Sequence, residues 1–385
     1  MELCSVFGKC GGCEFLDIEY DEQLKNKEKK VFEIFKNLNL KPKNYHGIVK
    51  SPNTYEYRNK MEYTFGNESK DAPLNLGMKA KGRKFDVHYT KDCKLVDDDF
   101  NQIVIFTRQF FLEREYTFRN YRAHKGYLRH LSVRKGLNTN ELLINIATDQ
   151  TDENDKDIKL WAEGILNLKL KSKIVSILHS KTGAKGNVLK ADKLEIIYGK
   201  DYYIEKILDL KFKIGPFSFF QTNTYGAEKL YETAIQYAEN TDITYDLYSG
   251  TGTIASLLSK KSKKVYAVEI IKEAVEMAKE NAELNDIFNV EFICGDVKEE
   301  ITKLEGHPDF VVLDPPRAGL NPKVLKFLKE QRFRKIIYVS CNPETLSENI
   351  KEVKDLYDFQ HYHLVDMFPN TRHVECVTLM SRVEK

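Results

Sequence analysis

The sequence predicts a two-part chain. An irregular α+β region spans residues 1–210, and an α/β domain with a mostly parallel sheet spans 211–385. Two observations carry this. From about residue 215, short apolar runs alternate regularly with segments of helical period, the pattern of strands joined by helical crossovers. Before that, short period-2 segments follow one another with little helix between them, as in antiparallel sheets.

The N-terminal part opens with a helix-like stretch over about 21–38. Alternating segments follow: "YEYRNKMEYTFG", "KFDVHYT", "HLSVRKG", "ELLINIAT", "KIVSILHS" and "LEIIYG", with one helix near 153–172. The boundary falls around 206–216, in "KILDLKFKIGP". The C-terminal part reads strand "TYDLYSG", helix "TIASLLSKK", strand "KVYAVEI", helix "KEAVEMAKENAELN", and strands "VEFICGD" and "DFVVLDPP". Helix "NPKVLKFLKEQ", strand "KIIYVSC" and helix "PETLSENIKEVKDL" come next. The final pair, "YHLVDMF" and "VECVTLMS", is expected to add an antiparallel edge.

Of the 385 residues, 42% are hydrophobic and 31% charged, an ordinary globular balance. The formal charge of +2 is too small to argue for nucleic acid, so any basic face must be local. No export signal or membrane-length apolar run is visible, and the cytoplasm is the expected location. Its seven cysteines are then expected to be thiols or metal ligands rather than disulfides.

The stretch "DLYSGTGTIAS" follows a strand and opens a helix, and Gly250 and Gly252 allow a ligand close to the backbone. About twenty residues on, Glu269 ends a strand, where a carboxylate can accept from two ribose hydroxyls. Asp296 and Asp314 end the next two strands at the same sheet edge. The third glycine of a dinucleotide site is absent, because Ala255 stands in that region. S-adenosylmethionine has no phosphate to cradle, so this shorter glycine pair suits it.

Asp314 leads "DPPRAGL", a stiff loop lacking two backbone donors. Amino-methyltransferases carry an aromatic after the two prolines. Arg317 stands there instead, suited to a phosphate or a base edge. Cys341 ends the next strand, just before a helix. A thiolate adding to C6 of uracil makes C5 nucleophilic enough to take a methyl group, after which a base removes the C5 proton and the thiolate leaves. The helix N-terminus is expected to favour that thiolate. Glu375, at the start of the last apolar strand, is the candidate base, with His373 the alternative and Arg372 a phosphate ligand. Cys294 and Cys376 read as core.

Together, "FSFFQTN", "DLYSGTGT", "DPPRAGL", "SCNPETL" and "DMFPNTRHVE" resemble the RNA 5-methyluridine methyltransferases, S-adenosylmethionine-dependent uracil-C5 enzymes acting on 23S rRNA or tRNA. The resemblance implies a class I, Rossmann-like methyltransferase domain with Cys341 as nucleophile and Glu375 as base. It implies that Gln221, Tyr248, Glu269 and Asp314 contact the cofactor. Cys4, Cys10, Cys13 and the distant Cys93 resemble the branch carrying a [4Fe-4S] cluster, which favours 23S rRNA over the tRNA T-loop as substrate.

Many members of the family begin with a small β-barrel that binds RNA, whereas here Cys4 stands near the first residue. RNA contacts are therefore expected from "YRAHKGYLRHLSVRKG", with Arg122, Arg129 and Arg134, from Arg58 and Lys60, and from Arg317 and Arg372. No membrane or protein partner is implied. The rival classes are a non-catalytic RNA-binding or redox-sensing iron–sulfur protein, which has no use for Cys341 and Glu375, and an amine methyltransferase, which expects an aromatic at position 317.

Overall fold

The computed structural model describes residues 3–383, apart from 84, 121–122, 151–154, 185, 187–190, 305, 307, 309 and 332, and apart from the side chains of 155 and 156. In chain order the elements are α1 (Tyr20–Asn37), β1 (Asn44–Val49), β2 (Lys60–Gly66), β3 (Asn75–Lys79), β4 (Val87–Tyr89), α2 (Asp98–Glu113), β5 (Leu128–Gly136), β6 (Glu141–Asp149), α3 (Asp155–Leu166), β7 (Lys173–Thr182), β8 (Lys193–Gly199), β9 (Tyr203–Ile207) and β10 (Leu210–Ile214). Then follow α4 (Thr224–Ile235), β11 (Thr241–Leu247), α5 (Thr253–Leu258), β12 (Ser262–Glu269), α6 (Lys272–Leu284), β13 (Val290–Cys294), α7 (Val297–Glu300), β14 (Phe310–Leu313), α8 (Pro322–Gln331), β15 (Lys335–Ser340), α9 (Pro343–Val353), β16 (Tyr357–Val365) and β17 (Glu375–Arg382). No helix among the described residues is long and apolar enough to cross a membrane.

Two compact units result. One holds the chain up to Asp17, Asn53–Phe217 and Thr222–Thr224; the other holds Ile18–Pro52, Ser218–Gln221 and the chain from Tyr225 onward. This corrects the expected division at 210/211. Residues 18–52 belong with the second unit, because β1 pairs in parallel with β16, more than three hundred residues away in sequence.

The first unit is built on a sheet of order β4-β3-β2-β5-β6-β7-β8. Its pairs are antiparallel except β6–β7, which are parallel and joined through α3. Helix α2 has no counterpart among the elements expected from sequence, although Phe100, Ile103, Val104, Thr107, Phe110 and Phe111 keep a helical spacing and are all buried. Asp97 caps it by accepting from the Asp99 amide.

The second unit is a sheet of order β1-β16-β17-β15-β14-β11-β12-β13. Strands β11 to β15 are parallel to one another, and β17 runs antiparallel between β15 and β16. The final pair is thus internal rather than the expected edge, and β1 lies outside β16. One core cluster joins Leu247, Leu313, Ile336 and Tyr338 of the sheet to Val324 and Phe327 of α8, Leu346 and Ile350 of α9, and Val31 and Phe35 of α1. Large side chains buried this fully contribute about 1.5–3 kcal/mol each, which fixes the helices behind the parallel strands. Those strands share a carboxyl edge, where β17 begins. Every sequence-predicted cofactor or reacting residue from 248 onward stands there.

Candidate active site

The loop after β11 takes left-handed backbone at Tyr248, Gly250 and Gly252 (φ 69°, 55° and 77°). The two glycines have different tasks. A Cβ on Gly252 would lie 2.7 Å from the Phe292 ring and 3.0 Å from Ala278, so Gly252 lets α6 and β13 pack closely. A Cβ on Gly250 would meet nothing within 4 Å, so the space above it is open to a ligand. Glu269 borders this opening. Its carboxylate accepts from the Gly250 amide at 3.0 Å and the Ile271 amide at 2.9 Å, which fixes its rotamer and leaves lone pairs for hydroxyl donors. Gly252→Ala is expected to destabilise the protein by about 1–3 kcal/mol through strain and clash. Gly250→Ala carries the backbone strain (φ 55°) without the clash, so it should destabilise less and in addition weaken S-adenosylhomocysteine binding; melting curves and titration calorimetry on both variants check the contrast.

Three acidic side chains converge behind this edge. Asp246, absent from the residues expected from sequence, lies inside β11 and is fully buried. Burial, then the charge of Asp314, raises its pKa to about 8. Asp314 is half-buried as a residue, yet desolvation of its carboxyl raises its pKa to about 7. Glu375 is 5% exposed, and burial, then the Asp314 charge, raises its pKa to about 8 while Arg317 opposes. A signal for Asp246 does exist in the sequence: an acid inside an apolar strand needs a reason. All three carboxyls hold protons more firmly folded than unfolded. Their stabilising contribution is therefore complete below about pH 4, where the unfolded chain also protonates, and is lost as pH rises through 7 to 8. Relative to wild type, Asp246→Asn should gain melting temperature between pH 6.5 and 9. Superimposable pH profiles would refute this.

Cys341 meets Glu375 through strand register. β15 and β17 pair with Ser340 opposite Cys376, and one further step along this register sets Cys341 opposite Glu375. The thiol is half-buried, and burial, then the charges of Glu375 and Asp314, raise its pKa to about 11; Arg317 opposes. This corrects the expectation that the helix position yields a ready thiolate: the desolvated site and two acids outweigh the start of α9. The loop carrying Arg317 is tied down by that helix. Asn342 caps α9 through its Oδ1, and its Nδ2 donates to the Arg317 carbonyl at 3.1 Å, as Thr345 Oγ1 does at 3.3 Å. Asn349 Oδ1 accepts from the Leu320 amide at 2.9 Å and the Tyr338 hydroxyl at 2.8 Å.

The other expected cofactor residues are less uniform. Tyr248 is half-buried, and Gln221 is half-buried in the 218–221 segment of this unit. Asp296 caps α7 and pairs with Lys298 at 2.7 Å, which with the Lys298 amide lowers its pKa. Arg317 and Arg372 are exposed. His373 and Phe368 stand with their rings near perpendicular, whereas Glu375 supplies the largest charge effect on Cys341. Cys376 is buried and accepts from the Tyr362 hydroxyl at 2.9 Å, as a core residue should. Cys294 is a correction: it is exposed, because β13 is an edge strand.

In the first unit, two expected RNA-binding cations are likewise corrected. Arg129 and Arg134 are 0% and 1% exposed, because β5 lies inside the sheet with both faces covered. Arg129 donates to the carbonyls of Thr182 (2.6 Å), Ala184 and Gly186 (3.2 Å), and Arg134 lies with Tyr203 and Glu62. Arg122 lies outside the described residues. Arg58 and Lys60 keep partial exposure, with Lys60 paired to Glu62 at 2.6 Å.

Cys4, Cys10, Cys13 and Cys93 lie within each other's electrostatic reach. Burial, then the charges of Cys93, Cys10 and Cys4, raises Cys13 to about 12. Burial above all raises Cys93 to about 11, with Cys4 and Cys10 adding to it. Four thiols gathered in one place, each disfavouring its neighbour's thiolate, suit a cationic centre better than a core. Among the described residues, however, no three His, Cys, Asp or Glu side chains stand as a formed metal site.

Known proteins share this architecture. The sequence model for tRNA (uracil-5-)-methyltransferase matches residues 160–383, more than half of the chain. RNA methyltransferases of Clostridium tetani and Clostridium acetobutylicum are 44% and 43% identical, each alignment covering 98% of this chain and 83% of the relative. The crystal structure of Pyrococcus abyssi tRNA (uracil-54, C5)-methyltransferase with S-adenosyl-L-homocysteine superposes with a TM-score of 0.78 at 28% identity, covering 97% of this chain and 86% of that one. A parallel sheet with an open glycine turn at its carboxyl edge, a strand-end cysteine and these similarities agree: the chain belongs to the tRNA (uracil-5-)-methyltransferase family.

Proposed function

We propose that this protein transfers a methyl group from S-adenosylmethionine to C5 of a uridine in RNA, with Cys341 as nucleophile and Glu375 as base. The observation that carries the reading is the β15–β17 register, which ends with Ser340 opposite Cys376, together with the charge effect of Glu375 on Cys341. The cofactor supplies a methyl group on a cationic sulfur, and Gly250, Glu269, Asp314, Tyr248 and Gln221 are the residues proposed to hold it. Cys341 Sγ adds to C6 of the uracil and C5 takes the methyl group. Glu375 removes the C5 proton, and the C6–S bond breaks to release 5-methyluridine and the thiolate. Arg317 favours both anionic groups, since its charge opposes the rise in pKa at each.

The proposed substrate is 23S rRNA, following the cysteine pattern. The T-loop of tRNA is the second reading, favoured by the solved relative acting on tRNA uracil-54. Cys4, Cys10, Cys13 and Cys93 are proposed to hold a [4Fe-4S] cluster that ties the start of the chain to the segment around residue 93. Anaerobically purified protein is then expected to carry about four iron and four sulfide per chain; a single zinc would overturn the cluster assignment.

The functional test is incubation with labelled S-adenosylmethionine and unmodified 23S rRNA or tRNA, followed by nucleoside analysis. 5-Methyluridine in either RNA supports the reaction and identifies the substrate. Methyl on an amine, or none in either RNA with the cysteine site loaded, overturns it.

A further inference from the structure

The connection from β16 to β17, residues 366–374, delivers Glu375 to the sheet edge, and it is held from the far end of the sequence. Lys27 of α1 is 2% exposed. Its Nζ pairs with Asp366 Oδ1 at 2.6 Å, with the two side chains 1% and 0% exposed. The same Nζ donates to the Phe368 carbonyl at 3.1 Å. One turn earlier, Gln23 is 1% exposed. Its Nε2 donates to Asn370 Oδ1 at 3.0 Å, and the Asn370 amide donates back to its Oε1 at 2.8 Å. Asn370 has a left-handed backbone, φ 65°, unusual for a residue with a side chain. Two side chains of one helix face thus fix the connection at Asp366, Phe368 and Asn370. Five residues after Asn370 stands Glu375.

A buried ion pair is a poor source of stability, since desolvation offsets its attraction and apolar packing serves as well. The remainder of α1 already packs through Val31 and Phe35. What Lys27 and Gln23 add is direction: fixed points on an irregular segment between two strands.

We propose that Lys27 and Gln23 are positioning residues that set the place of the Glu375 carboxylate relative to Cys341. The proposal rests on the reading of Glu375 as the base. Its signature is specific, because a displaced base slows C5 proton removal after the C6–S bond has formed, and the RNA–protein adduct accumulates.

The test compares wild type, Lys27→Met, the charge-balanced Lys27→Met/Asp366→Asn, Gln23→Met and Glu375→Gln. Each is mixed with S-adenosylmethionine and substrate RNA, and adduct is measured on denaturing gels beside kcat and KM. Both Lys27 variants and Gln23→Met should lose up to about 100-fold in kcat with KM little changed, and should accumulate adduct as Glu375→Gln does. A purely structural role would lower the melting temperature and leave the ratio of adduct to product unchanged, which overturns the proposal. Should the ion-pair variants fail to fold, Gln23→Met, which keeps the ion pair, decides alone. If Glu375→Gln itself forms no adduct while wild type turns over, the reading of Glu375 as base has failed, and the proposal with it.

Discussion

Cys341→Ala is expected to abolish methyl transfer, by roughly 10⁴-fold or more, and to remove any covalent RNA–protein species. The size of the effect follows from the chemistry. C5 of uracil is a weak nucleophile, and without addition at C6 the methyl group has no competent acceptor. Folding should survive, because Cys341 is half-buried at a strand end rather than packed in the core. The ligand-free thiol, at about 11, is almost wholly protonated at neutral pH. Glu375 and Asp314 are among the causes, and both hold protons more firmly than ordinary carboxylates. The site therefore stores few negative charges until a cation enters. The rate of the addition step should accordingly rise with pH across the accessible range.

Glu375→Gln should lower turnover by about 10²–10⁴-fold and leave addition and methylation intact, so that methylated RNA remains bonded to Cys341. The two variants thus fail at opposite ends of one sequence: Cys341→Ala forms no adduct, and Glu375→Gln traps it. The pH dependence has a definite sign. A base must be ionised, and a carboxyl at about 8 gains its charge as pH rises, so proton removal should speed up from pH 6.5 to 8.5 and level off above that. Adduct already formed should decay to product most slowly at the acid end. Rapid-quench measurements of adduct and product across that range test both statements.

The parallel strands and their tips were legible because each motif is local. An apolar run ending in "SGTG", "DPP" or "SC" states its own position in the sheet. The neighbourhood of Arg129 was not legible. The cations of "YRAHKGYLRHLSVRKG" read as RNA contacts, but the carbonyls that Arg129 donates to come from Thr182, Ala184 and Gly186, remote in sequence. The same holds for β1, whose partner β16 no local pattern names. Helix α2 is a different case: its helical spacing was present in "FNQIVIFTRQFF", but a dense run of β-branched and aromatic residues also reads as strand. Cys341 and Glu375 could each be chosen from sequence as single residues. That they come within electrostatic reach of one another follows from the pairing of β15 with β17, and so appears only in the folded sheet.

The proposed reaction turns on a carbon–sulfur bond between Cys341 and the target base. RNA carrying 5-fluorouridine tests it most directly, since fluorine at C5 leaves no proton for a base to remove and the reaction stops with the bond in place. After incubation with S-adenosylmethionine and nuclease digestion, mass spectrometry should find a methylated fluorouridine on the peptide containing Cys341, and nowhere else. An unmodified Cys341 alongside methylated RNA, or a nucleotide on another cysteine, would contradict it.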